Sequence, residues 1–308
     1  WWSGFIRSTS ETITNNMKSF ADYNPIAVFI YFIAATSVPM FCMNPVIIAL
    51  SLCGSVALFS LRQKNFNLRD YLPFLLLFTV MALVNPIFYH NGVTVLFVAG
   101  DNPVTLEAVL YGIAASAMII TVLFWFRSFS QIMTSDKLLY LFGSASPKLA
   151  LLLSMALRYI PLFGEQAKKV SDAGRALGLY KEDNIIDDIR GGTRVFSVMV
   201  GWALENGITT ADSMAARGYG LGRRSFFAIY KFRRTDMALV TVSLALFAVT
   251  AAGIASNALR FGFYPEITAA PLTPPGLFAY AAYGVLALIP AIITAEEGIK
   301  WKYLRSKI

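Results

Sequence analysis

From Pro25 to Leu61 the chain carries no charged side chain. A helix crosses the hydrocarbon core of a bilayer with roughly 20 apolar residues. Inside lipid every backbone N–H and C=O must be paired within the spanning structure, which leaves helices and closed barrels. The run is long enough for two helical spans, and Met43-Asn44-Pro45 supplies a turn within the break expected between Pro39 and Pro45. Four further uncharged runs have span length: Tyr71 to Tyr89, Ala108 to Phe126, Met237 to Leu259 and Gly276 to Ala295. The expected fold is therefore all-α, a polytopic membrane protein with about six transmembrane helices.

Composition agrees. Hydrophobic residues make up 56% of the 308 and charged residues only 14%, whereas soluble domains run near half apolar and about a quarter charged. The formal charge of +8 does not point to nucleic acid, because its distribution follows the membrane. With six spans, all but Arg260 of the 26 Lys and Arg residues fall on one side, which the positive-inside rule makes cytoplasmic. Both termini and the 127–236 stretch share that side. Five or seven spans would split the basic loops across the bilayer. The expected localisation is the plasma membrane of a prokaryote.

The expected domains are a tail with four spans (1–126), a cytoplasmic arm (127–236), and two spans with a basic tail (237–308). Residues 1–24 form either an interfacial anchor or a loose tail. No secretory leader is expected, since no short apolar core precedes a small-residue cleavage site. The first residue is Trp1 rather than Met, which leaves the native start open. Cys42 and Cys53, both inside expected spans, read as small buried apolar residues and exclude a disulfide framework.

In the arm, Ser146-Pro147 starts a helix, with Ser as cap and Pro in the first turn. Pro161 is expected to kink it. Beyond Pro161 the pattern is amphipathic, exposing Glu165, Lys168, Lys169 and Asp172, and Gly178 stops it. Gly191-Gly192 is expected to break the chain before a second helix. That helix carries Val195, Val198, Met199, Trp202 and Ala203 at three- and four-residue spacing and ends at Gly218. Two short sequences of one type close the two helices: Asp172-Ala173-Gly174-Arg175-Ala176-Leu177-Gly178 and Ser213-Met214-Ala215-Ala216-Arg217-Gly218-Tyr219-Gly220. A cation at a helix C-terminus complements the macrodipole, a role that needs no partner. Flanking Ala and Gly, however, leave the guanidinium unshielded, and its planar fork can bind a carboxylate through two hydrogen bonds. Arg175, Gly178, Ala216, Arg217 and Gly218 are therefore the candidate partner-binding residues. Leu221 to Arg234, rich in Arg and Lys just before a span, suits anionic headgroups.

These motifs resemble the transmembrane T component of energy-coupling factor (ECF) transporters, which includes the cobalt-transporter permease subunits. Tyr23-Asn24-Pro25 is similar to the Pro-containing start of the family's first span. Arg158-Tyr159-Ile160-Pro161 with Glu165 is similar to its Arg-Phe-Ile-Pro…Glu helix. Ala211 to Gly220, followed by Arg223-Arg224, resembles its second signature, the more specific of the two. At the first tip the family pattern has Arg where this chain has Leu177. Either Arg175 acts from two positions earlier, or this tip binds through apolar contact.

The resemblance implies a non-catalytic coupling subunit. Two cytoplasmic ABC-type ATPase subunits bind ATP and Mg and receive the arm tips. A small membrane S component binds a vitamin or metal ion and docks on the arm's apolar face. Leu152, Met155, Tyr159, Val198 and Trp202 are candidates for that face, or else they pack within the arm. This chain is expected to hold no cofactor or metal and to bind lipid but not nucleic acid.

No G-x-x-x-x-G-K-[ST] run is present to cradle phosphates, and no His/Cys set has zinc spacing. His90, the sole histidine, reads as a surface residue of an outside loop. An enzyme working through the arm would need a His or paired carboxylates at the membrane surface, and the arm has no His. A stand-alone transporter or channel, the alternative reading, usually carries charged groups inside its spans; these spans have none.

Overall fold

The computed structural model describes residues 20–63, 68–88, 92–99, 102–178, 185–221, 230, 232–269, 271 and 273–305. His90, most of the 1–24 tail, the first part of the charged linker and most of the basic 221–234 segment lie outside these residues. The chain divides into two compact units: Trp1–Ser135 with Tyr230–Ile308, and Asp136–Ile229.

The first unit holds α1 (Pro25–Phe41), α2 (Pro45–Arg62), α3 (Leu68–Phe88), α4 (Leu106–Ile132), α8 (Arg234–Ala255) and α9 (Pro274–Arg305). Helices α2, α3, α4, α8 and α9 are long and apolar enough to cross a membrane. The sixth expected span, α1, is an apolar helix of 17 residues, at the short end of what spans a bilayer. Two loops carry small antiparallel hairpins: β1 (Val95–Ala99) with β2 (Asn102–Thr105), and β3 (Phe261–Gly262) with β4 (Thr268–Ala269). The sequence reading left both as loops.

Two Asn-Pro pairs set the starts of α1 and α2. Asn24 and Asn44 each accept a hydrogen bond from the amide two residues on, Ile26 at 3.0 Å and Val46 at 2.9 Å. Pro25 and Pro45 fill the first helical position, where no amide partner is needed. The helices pack α3 on α4, α4 on α2, α2 on α9, α9 on α8 and α8 on α1. The core centres on Tyr31, Phe32, Trp125, Tyr283 and Leu286. The polar atoms of Tyr31, Trp125 and Tyr283 are paired, as a low dielectric demands. The Tyr31 hydroxyl donates to the Leu286 carbonyl at 2.7 Å, and the Tyr283 hydroxyl donates to the Ala35 carbonyl at 3.1 Å. Trp125 Nε1 donates to Ser51 Oγ at 2.9 Å. Where α2 meets α9 only glycine fits: a Cβ on Gly54 would lie 2.6 Å from the Ala287 carbonyl oxygen.

Buried Asp236 joins the starts of α1 and α8. Its Oδ2 accepts from the Arg233 amide at 2.8 Å and its Oδ1 from the Asn24 amide at 3.2 Å. At the other end, buried Glu107 accepts from the Thr94 hydroxyl at 2.5 Å, fixing the loop ahead of β1 to the first turn of α4. Cys42 is buried, as expected, but Cys53 is exposed on α2. On a helix of membrane-spanning length a small apolar thiol can face lipid and needs no protein cover.

The second unit holds most of α5 (Ser135–Ala145), with α6 (Pro147–Ala176) and α7 (Ile185–Ala216). Pro161 lies inside α6, which runs unbroken. Gly191-Gly192 does not break the chain: α7 begins at Ile185 and runs through both glycines. A glycine inside a helix costs about 1 kcal/mol relative to alanine, which weakens a helix of 32 residues without ending it. Helices end where glycine takes a left-handed conformation, as Gly178 and Gly218 do at φ 64° and 78°.

Candidate functional site

The arm unit is organised around the place where α6 crosses α7. Tyr159 Oη lies 2.8 Å from Thr210 Oγ1, and either can donate. One turn further along α6, Phe163 stacks on Tyr159 and meets Trp202 edge-to-face, with ring centroids 5.5 Å apart. Met155, Tyr159, Gly207, Thr210, Ala211, Met214, Ala215 and Tyr219 line a concavity of about 310 Å³. Residue numbers rise along α6 as they fall along α7, so the two helices run antiparallel. Gly207, Ala211 and Ala215 recur every four residues and keep that side of α7 low.

The two tips leave the crossing in opposite directions. The α7 tip is adjacent to it, since Met214, Ala215 and Tyr219 line the same concavity as Met155 and Tyr159. From Phe163 the end of α6 runs on for about 20 Å at 1.5 Å per residue. Each tip ends on a left-handed glycine. The Gly218 amide donates to the Ala215 carbonyl at 3.0 Å and the Tyr219 amide to the Met214 carbonyl at 3.0 Å. Paired bonds of this kind with a left-handed glycine make a Schellman cap. At the other tip the Gly178 amide donates to the Arg175 carbonyl at 3.0 Å.

Arg175, Gly178, Ala216 and Arg217 are exposed, and Gly218 is half-buried. Of the residues named for the apolar face, Leu152 is 62% exposed and Val198 49%. Met155, Tyr159 and Trp202 are half-buried and belong to the crossing itself. The sequence reading did not single out Met214 and Tyr219 as a pair. The available signal was the cap, which commonly brings together the apolar side chains flanking its bonds. Among the described residues, no group of three or more His, Cys, Asp or Glu side chains gathers where it could hold a metal ion.

A family model described as the cobalt transport protein CbiQ matches residues 21–226. The chain belongs to the CbiQ family. The match runs from the turn before α1 through both arm tips, so it covers α1 to α4 and the crossing and stops short of α8 and α9. A search of curated proteins finds no match. Membership in the CbiQ family, with five helices of membrane-spanning length and composition, makes this a membrane transport component.

Proposed function

We propose that this CbiQ-family chain is the non-catalytic coupling subunit of an ATP-driven ECF-type importer. Two cytoplasmic ABC-type ATPase subunits, which bind ATP and Mg, hold the arm tips. A small substrate-binding S component docks on the arm. The observation that carries the reading is the extent of the family match, which takes in the first four membrane-unit helices and both arm tips. The family's description supports a metal ion such as cobalt as cargo, with a vitamin as the alternative. The charge asymmetry supports a plasma-membrane protein with both termini and the arm in the cytoplasm.

Motion of the ATPases pushes the tips, and the Tyr159–Thr210 and Phe163–Trp202 contacts pass it from one rod to the other. Exposed Leu152 and Val198 offer the apolar surface that a membrane partner would cover. A ligand-driven change of this sort requires tip contacts that differ between nucleotide states.

The test is uptake by the assembled complex. Charge reversal in Arg217→Glu is expected to abolish uptake while the membrane unit keeps its melting temperature. Wild-type uptake in that variant, or substrate flux through the purified chain alone, would overturn the proposal.

A further inference from the structure

Two helices of the membrane unit that touch each other each contain a buried proline, Pro39 in α1 and Pro290 in α9. Proline has no amide hydrogen, so inside a helix it leaves the carbonyl four residues back without its usual donor. Those carbonyls belong to Ala35 and Leu286. Each is met by a tyrosine of the opposite helix. The Tyr283 hydroxyl of α9 donates to the Ala35 carbonyl of α1 at 3.1 Å, and the Tyr31 hydroxyl of α1 donates to the Leu286 carbonyl of α9 at 2.7 Å. Tyr31, Ala35, Tyr283 and Leu286 are all fully buried.

A buried carbonyl that accepts from a side chain is ordinary by itself. Here the exchange is reciprocal. Each helix lacks one bond of its own ladder, and each supplies the bond that the other lacks. The residue numbers fix the geometry: 31 faces 286 and 35 faces 283, so the helices run antiparallel through the exchange. The Ala35 carbonyl lies about 15 Å along α1 and the Leu286 carbonyl about 18 Å along α9, near the middle of a hydrocarbon core of roughly 30 Å. Lipid offers no donor to a carbonyl released at that depth. Drawing α1 away from α9 therefore strands both carbonyls at once.

We infer that Pro39, Tyr31, Pro290 and Tyr283 form a reciprocal clasp that makes α1 and α9 one mechanical unit. The prolines create the need for the two bonds, and the tyrosines meet it only while the helices stay together. Any rearrangement of the membrane unit during transport either carries α1 and α9 as a pair or breaks both bonds. The clasp lies wholly within the membrane unit and does not depend on what the arm tips bind.

The test is amide hydrogen exchange of the full chain purified in detergent, read along 27–41 and 280–294. Phenylalanine keeps each ring, including the edge contact of Tyr31 with Trp125, and removes only the donor. Tyr31→Phe and Tyr283→Phe are each expected to speed exchange about tenfold in both stretches, because loss of one bond loosens the pair. Pro39→Ala supplies an amide that can donate to Ala35 within α1. It is expected to undo most of the effect of Tyr283→Phe and to leave that of Tyr31→Phe. Pro290→Ala is expected to do the reverse. Unchanged exchange in both Phe variants, or faster exchange confined to the helix whose carbonyl lost its donor, would overturn the clasp. So would a proline replacement that recovers neither Phe variant or both alike.

Discussion

The hydroxyls of Tyr159 and Thr210 meet at 2.8 Å where the two long helices of the arm cross. Neither is deeply buried, so the bond's net worth is the ordinary one, about 1 kcal/mol. The ring of Tyr159 also stacks on Phe163, an interaction of about 0.5–1.5 kcal/mol beyond the area it covers. Tyr159→Phe should therefore loosen the crossing slightly and Tyr159→Ala several-fold more. Amide hydrogen exchange along 150–176 and 195–216 measures this. Equal exchange in wild type and Tyr159→Ala would show that the rods are held together elsewhere.

The caps make a sharper prediction. A Cβ on Gly178 would meet nothing within 4 Å, so space is not what requires glycine there. The φ of 64° is, since left-handed backbone costs other residues about 1–2 kcal/mol. Gly178→Ala should fray the last turn of α6, and Gly178→Asn, which tolerates that conformation, should recover most of the loss. The same order is expected at Gly218. Exchange rates of the last helical amides decide it; indistinguishable Ala and Asn variants would contradict the conformational account.

What the sequence disclosed and what it hid follow from range. The spans were legible because a charge-free run such as Pro25 to Leu61 leaves the backbone little choice. The start of α2 was legible at Asn44-Pro45 because the cap is local, whereas at Ser146-Pro147 the helix begins where expected with Pro147 in its first turn but without the expected side-chain cap from Ser146. Gly191-Gly192 misled because glycine lowers helix propensity everywhere but ends a helix only where the backbone turns left-handed, and flanking residues decide that. The Tyr159–Thr210 bond joins residues 51 apart in the chain, and no periodicity reports such a pairing. For the same reason the apolar stripe named for a partner could not be divided in advance. Two of its members, Leu152 and Val198, are exposed, while Met155, Tyr159 and Trp202 belong to the crossing.

Asp236 should matter to the membrane unit more than its place beside a loop suggests. It is 4% exposed and accepts from the amides of Asn24 and Arg233. Asp236→Ala leaves both donors without that acceptor, at about 1–3 kcal/mol for a buried group. Asp236→Asn keeps one oxygen and should lose less. Thermal unfolding of the purified chain in detergent is expected to order wild type above Asn above Ala. An Ala variant as stable as wild type would mean that water takes over both bonds.

Gly54 tests how closely α2 and α9 approach. The Cβ of Gly54→Ala would lie 2.6 Å from the Ala287 carbonyl oxygen and 2.9 Å from its Cβ. Backbone, not a flexible side chain, has to move, and such overpacking costs about 1–3 kcal/mol. Gly298, also on α9, is the control, with nothing within 4 Å of an added Cβ; there alanine should stabilise by about 0.5–1 kcal/mol through helix propensity. Opposite signs are expected in the melting temperatures. A Gly54→Ala variant that gains stability like Gly298→Ala would place the two helices further apart.

Orientation is open to a direct test that the two native thiols must not confuse. With Cys42 and Cys53 replaced by Ala, single cysteines are placed at Val93, 64% exposed ahead of β1, and at exposed Lys168 on α6. Between these positions lies α4, one membrane-length helix, so they fall on opposite sides of the bilayer if α4 alone crosses between them. On the proposed orientation, which the segregation of Lys and Arg supports, Lys168 lies inside. An impermeant maleimide added to intact cells should label the Val93 cysteine and reach the Lys168 cysteine only after permeabilisation. Labelling of both from outside would remove the arm from the cytoplasm, and with it any contact between Arg217 and a cytoplasmic ATPase.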